Sequence, residues 1–285
     1  LFYGAPIDIG QAMHDQVLAV SDSVVFTSAT LGPMNMQEVA PGVEWPLGYA
    51  YLAPEKRFKN ILTLPPVYDY QNKCRLLVAD DVLPMHDKLF VGQILAQLLP
   101  LLELNQGRAL LLFSAKQRFD QAREYLLEHL SLPLFVQNMG LRPIEDFKAA
   151  GQGVLLGMEA LGEGIDIPGD TLSLVFIDKI PDQRQDLVIK ERERLFDRQF
   201  GDGFTAYTLA HRAQALTQKL GRLLRTEKDS GVALVVDARL KNWNPRTWQK
   251  FATMLAPYQI ERCPLATAIN EAQNFLAQQG AFARS

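Results

Sequence analysis

Cysteine is scarce in this chain. Among 285 residues there are two, Cys74 and Cys263, with no C-x-x-C pair and no histidine beside either. A disulfide framework or a zinc or iron–sulfur site made by this chain alone would need several closely spaced thiols. Two reduced thiols are what a cytoplasmic protein carries. The four histidines form no cluster, so no metal site is expected. No apolar run approaches the roughly 18 residues that a membrane-crossing helix requires, so no membrane partner is expected. An excess of positive charge is missing too. Lys and Arg total 29 against 32 Asp and Glu, a formal net charge of −3. That argues against a globally basic nucleic-acid coat and leaves a local basic groove open. The first residues, "LFYGAPIDIG", have neither an initiator methionine nor the basic-then-apolar pattern of a secretory leader. They read as the cut end of a longer chain.

What the chain has in quantity is short apolar runs. The hydrophobic fraction is 48% and the charged fraction 21%, which suits a folded globular protein. Runs occur at residues 23–31, 74–80, 108–114, 132–137, 153–158, 172–179 and 231–239. They are continuous rather than alternating, which predicts strands buried on both faces. Between them lie helical patterns at 87–104, 115–130, 144–150, 187–201, 206–225, 245–255 and 264–279, with Pro100 expected to bend or break the first. The alternation predicts an α/β fold, a mainly parallel sheet flanked by helices on both faces. The Pro-, Gly- and aromatic-rich text before residue 74 predicts an irregular N-terminal segment. Ligands of such sheets sit beyond the C-terminal strand ends. The loops after Ser114, Met158 and Lys179 should therefore share one edge, and the turn before 231 should lie at the other.

Four stretches carry candidate chemistry. "TSAT", Thr27, Ser28, Ala29 and Thr30, ends an apolar run with hydroxyls; alone it reads equally as a turn. "FSAKQRF" places Ser114, Lys116 and Arg118 at a strand end and helix start, suited to phosphate or simply to an N-cap by Ser114. "GMEALGEGIDIPGD" (157–170) carries Gly162, Glu163, Gly164 and Asp166, with glycines that permit close backbone approach. "QKLGRLLR" (218–225) puts Gln218, Arg222 and Arg225 at i, i+4 and i+7, one face of a helix. Gly221 inside that helix would cost about 1 kcal/mol against Ala. Arginine suits phosphate because its planar fork donates two parallel hydrogen bonds and stays charged. "IKERERLFDRQ" (189–199) alternates in charge and reads as a solvated face.

In this order and spacing the four stretches resemble the later motifs of superfamily 2 helicases, most closely the DinG/XPD-like branch, across most of residues 3–240. "PPVYDYQNKCRLLVADDVLP" is similar to the entry into that family's second RecA-like lobe. The resemblance implies a RecA-like sheet, with residues 1–73 ending the first lobe and serving as a connector, and 74–285 forming the second lobe. It implies ATP-dependent 5′→3′ unwinding of DNA, in repair and associated with the nucleoid. Arg222 and Arg225 would face the γ-phosphate. Gln218, Gly221, Gly164 and Asp166 would bind ATP. Ser114, Lys116, Gly162 and Glu163 would track single-stranded or forked DNA, and Thr27–Thr30 would couple hydrolysis to movement. The sequence has no G-x-x-x-x-G-K-[ST] loop and no D-E-x-H box. ATP and Mg2+ would thus be held mainly by an N-terminal lobe that is not in this sequence. This stretch alone is expected to be inactive. An iron–sulfur cluster would belong to the parent protein and not to this chain. "IPDQRQDLV" departs from the family's Phe and Pro-rich loop, so no DNA contact is assigned to 181–187. Two alternatives stay open: a nuclease-associated relative, and a non-catalytic nucleic-acid-binding relative.

Overall fold

A computed structural model describes residues 7, 12, 14–25, 27, 32–42, 62, 64–137, 142–162, 167, 169, 171–183 and 186–280. In chain order its main elements are β1 (Cys74–Ala79), α1 (Phe90–Leu104), β2 (Ala109–Phe113), α2 (Lys116–His129), β3 (Leu134–Val136), α3 (Arg142–Ala150), β4 (Val154–Met158), β5 (Leu174–Ile177), α4 (Leu187–Phe200), α5 (Ala210–Leu220), β6 (Gly231–Val236), α6 (Pro245–Met254), β7 (Ile260–Arg262) and α7 (Leu265–Gln278). They fall into two compact units. One comprises 1–65, 181–217 and 244–256; the other comprises 66–180, 218–243 and 257–285.

The second unit holds the sheet. Its seven described strands run in the order β3-β4-β2-β5-β6-β1-β7, and every pairing is parallel. The predicted mainly parallel α/β sheet is what the structure contains. Parallel strands are stable when both faces are covered. Ala109 through Phe113 and Gly231 through Val236 are accordingly all buried. Alternate residues such as Leu111, Phe176 and Leu234 join one core with Phe90, Ile94 and Leu98 of α1, Phe119 and Leu126 of α2, and Ala272 and Leu276 of α7. Burying each such Leu, Ile or Phe contributes about 1.5–3 kcal/mol. α1 continues through Pro100, contrary to the expected break. Proline removes one backbone hydrogen bond, but Leu98, Leu101 and Leu102 on either side are fully buried, and that burial outweighs the loss.

In the first unit, α4 is capped by Asp186, whose carboxylate accepts from Ile189 N, and it ends at Gly201 in the left-handed conformation (φ 78°). A π-helical turn, Phe204–Leu209, leads into α5. There Tyr207 packs its ring on Phe196 and His211. Burial, and then the charge of Arg192, lowers the His211 pKa to about 4. The alternating-charge helix is therefore not a purely solvated face. Thr208 donates to Glu193, and Arg192 Nε donates to Ile7 O at 3.3 Å. Among the described residues before 62 the only regular elements are a π-turn, His14–Leu18, and one helical turn, Met36–Val39. That is the irregular segment expected.

The strand predicted at 23–31 is not formed over its described part, Ser23–Val25 and Thr27. The β-branched run suggested a strand, but β-propensity reflects packing on a half-buried pleated surface. Val25 is 84% exposed, and no described strand pairs with this stretch.

Candidate functional site

Phe113 is in register with Met158, and Leu112 with Ile177. The loops after Ser114, Met158 and Lys179 therefore do leave from one edge, the C-terminal one. Gly231 opens β6 beside Cys74 at the start of β1, so the turn before it lies at the N-terminal edge.

At the C-terminal edge, each of three strand ends carries an aspartate matched by an arginine. After β5, Asp178 is fully buried and accepts from Ser114 N at 2.9 Å and from Arg118 Nε at 2.7 Å. Arg118 also donates to Ser114 Oγ at 2.6 Å. After β6, Asp237 accepts from Ile180 N at 3.1 Å and from Arg239 at 2.7 and 2.9 Å. After β1, Asp80 accepts from Arg262 Nε at 2.9 Å. Each of these carboxylates has a guanidinium beside it. Ser114 is thus not the N-cap of α2. Ala115 occupies that position, where its methyl group cannot cap, and the Ser114 hydroxyl accepts from Arg118 instead. Lys116 lies 75% exposed and donates to both oxygens of Asp120 one turn on, at 2.7 and 2.8 Å, a pair worth little at so exposed a site. Of these groups, the sequence pointed to Ser114 and Lys116. It named Arg118 without assigning it and missed Asp178, 60 residues away.

The segment 157–170 begins at the same edge with a 3-10 turn, Glu159–Gly162, whose Leu161 is buried against Gly157. Glu163, Gly164 and Asp166 lie outside the described residues, as do Ser28, Ala29 and Thr30; Thr27 is described and exposed. By Gly169 the chain has reached the N-terminal edge, where Gly169 O accepts from Leu172 N two residues before β5. A Cβ on Gly169 would overlap the Asp229 carboxylate, so only glycine allows this approach.

The arginine stretch runs beside it. α5 ends at Leu220, so Gln218, Arg222 and Arg225 do not share one helix face, and Gly221 lies past the helix rather than inside it. The chain instead turns: Arg222 N donates to Lys219 O at 3.2 Å and Leu223 N to Leu220 O at 3.0 Å. These bonds bury Leu223 and Leu224 together, and the Leu223 side chain fits against the bare backbone of Gly231. Gly221 there ends a helix and carries no interior cost. Gln218 is exposed, while Arg222 and Arg225 are half-buried. Lys219 is 2% exposed, and its Nζ lies 3.5 Å from Glu159. The 157–170 and 218–225 motifs are therefore joined directly.

Four closely placed thiolates would be needed for an iron–sulfur cluster, and these two cysteines do not provide them. Burial raises the Cys74 thiol to about 12 and the Cys263 thiol to about 11, with nearby acidic groups adding to the latter. Among the described residues no three His, Cys, Asp or Glu side chains lie together as metal ligands. No described helix is long and apolar enough to cross a membrane.

Fold and site together define a parallel α/β lobe with charged groups gathered at both ends of one sheet. The helicase C-terminal domain family matches residues 98–258, and the chain belongs to that family. The ATP-dependent helicase DinG of Mycobacterium tuberculosis is 31% identical over 242 residues, 83% of this chain and 35% of that protein. The ATP-dependent DNA helicase YoaA of Escherichia coli is 31% identical over 241 residues, 82% of this chain and 36% of that protein. A more distant relative in Bacillus subtilis, 25% identical over 84% of this chain and 26% of its own length, is named 3′-5′ exonuclease DinG. The solved structure called XPD_APO is 16% identical, with a TM-score of 0.48, over 67% of this chain and 40% of that chain. The chain spans about a third of the length of the curated relatives it matches. The resemblance to the DinG branch of the helicases and the parallel α/β lobe expected from the sequence are thereby borne out.

Proposed function

We propose that this chain is the second RecA-like lobe (74–285), with residues 1–73 as the end of the first lobe and a connector, of an ATP-dependent DNA helicase. The protein translocates on single-stranded DNA, opens forked duplexes in repair and works at the nucleoid. ATP and Mg2+ are held mainly by a phosphate-loop lobe outside this sequence, and any iron–sulfur cluster lies there as well. Arg222 and Arg225 stabilise the transferring phosphoryl group. Gln218, Gly221, Gly164 and Asp166 position nucleotide and water. Ser114, Lys116, Gly162 and Glu163 follow the DNA backbone, and Thr27–Thr30 couple the two events. Backbone contacts carry no sequence information, so binding is sequence-tolerant and falls with salt.

The observation that carries this reading is the arginine-bearing turn 221–225, fixed at one end of the sheet and tied to the 157–170 segment that starts at the other. An arginine reaching a transferring phosphoryl group is worth about 10³–10⁵ in rate. Arg225→Ala in the protein with both lobes should therefore abolish DNA-stimulated ATP turnover while DNA binding persists. Unchanged turnover would refute the assignment.

A second reading has one observation behind it, the B. subtilis relative named as an exonuclease. In that case the lobe grips DNA for a nuclease and does not unwind it. Strand-displacement and nuclease assays on the same preparation separate the two.

A further inference from the structure

Arg225 is held in an unusual way. It lies beyond α5 and six residues before β6, so no regular element fixes its backbone. Side chains from elsewhere do so instead. Asp229 Oδ2 accepts from Arg225 N at 2.7 Å and from Thr226 N at 2.8 Å. Asp229 Oδ1 accepts from Thr226 Oγ1 at 2.8 Å. On the carbonyl side, Tyr68 Oη donates to Arg225 O at 2.6 Å. Both hydrogen-bonding groups of the Arg225 backbone are therefore taken by side chains, one four residues on and the other 157 residues back. Asp229 is itself 8% exposed, and its carboxylate occupies the space that a side chain on Gly169 would need.

Satisfying buried backbone groups would explain some of these bonds. It does not explain why Asp229 from the same turn and Tyr68 from a distant segment converge on one arginine. A side chain that must meet a transferring phosphoryl group needs a fixed Cα, since misplacement by about 1 Å can cost roughly 10²-fold in rate.

We propose that Asp229 is a positioning residue for Arg225, assisted by Tyr68, and that Gly169 seats Asp229 for this role. The proposal rests on the reading of Arg225 as the phosphate-facing arginine. Asp229 acts through geometry and not through its charge. Both backbone bonds go to a single oxygen, which an asparagine reproduces, and the Thr226 hydroxyl can turn to accept from the amide.

The test compares Asp229→Ala, Asp229→Asn, Tyr68→Phe and Arg225→Ala in the two-lobed protein. DNA-stimulated ATP turnover is measured together with the Kd of a non-hydrolysable ATP analogue. Asp229→Ala is expected to lower kcat by about 10²-fold with the analogue's Kd unchanged. Asp229→Asn should restore kcat to within a few-fold of the parent. Tyr68→Phe removes one hydrogen bond at a half-buried site and should lower kcat by roughly three- to tenfold, on the scale of about 1 kcal/mol per net bond. Should Asp229→Ala fail to fold, Tyr68→Phe and Asp229→Asn decide the matter. Normal kcat in Tyr68→Phe overturns the proposal, as does a fall in Asp229→Asn as deep as in Arg225→Ala. If Arg225→Ala itself turns over normally, the phosphate-facing reading fails first. If Arg225→Ala collapses while the folded Asp229 and Tyr68 variants do not, only the positioning role fails.

Discussion

Replacing Arg118 by Met should destabilise the sheet unit by about 3–5 kcal/mol. Asp178 has no exposure, and its two oxygens are used by Ser114 N and Arg118 Nε. The Arg118 side chain is 15% exposed, so the pair is largely cut off from water. Removing one partner of a buried pair leaves an uncompensated charge, which is what that magnitude reflects. Against a total stability of about 5–15 kcal/mol this is a large fraction. Asp178→Asn keeps the shape and should cost less, about 1–3 kcal/mol, because the slightly exposed guanidinium recovers some solvent. The double variant leaves no stranded charge, so it should be more stable than the sum of the two single losses by about 1–3 kcal/mol. Urea unfolding followed by far-UV circular dichroism measures all four corners of the cycle. A loss under about 1 kcal/mol for Arg118→Met would refute the reasoning. Strict additivity, within about 0.5 kcal/mol, would do so too.

Three further outcomes are expected. The folded-state pKa of His211, about 4, lies below its ordinary 6.5, so both states are neutral above about pH 6.5. As pH falls from there towards 4, only the unfolded chain takes up the proton. Stability then drops by about 1.4 kcal/mol per pH unit, about 3 kcal/mol in all; melts of the parent and of His211→Gln that decline in parallel would contradict this. Lys116→Ala should weaken DNA binding equally for all sequences and reduce the log–log salt slope by about one; a change confined to one sequence would disprove backbone tracking. Cys74 should resist a thiol-reactive dye until the protein unfolds, given its burial and a pKa of about 12; rapid labelling of the native protein would count against the buried β1.

The strands were legible where the chemistry is continuous. "ALLLF" and "GVALVV" could be little else than strands covered on both faces. β7 was not foreseen, since Ile260–Arg262 is three residues long with two of them charged. Its place is set by pairing with β1 and not by its own composition. The end of α5 was misread for a definite reason. Leu216, Leu220, Leu223 and Leu224 keep helical spacing across the point where the helix stops. Apolar period alone cannot distinguish a helix from tight turns that bury the same leucines. The site residues stood out where they were local in sequence. The Arg118–Asp178 pair and the Tyr68–Arg225 bond join residues 60 and 157 positions apart, and no spacing rule reaches that far.

Glu159 and Gly169 each approach the stretch that carries the arginines, Glu159 at Lys219 where the strands finish and Gly169 at Asp229 where they begin. The second approach depends on the missing side chain of a glycine. A substitution at Gly169 should therefore be felt in the turn around Arg225, although nothing in the sequence links the two positions.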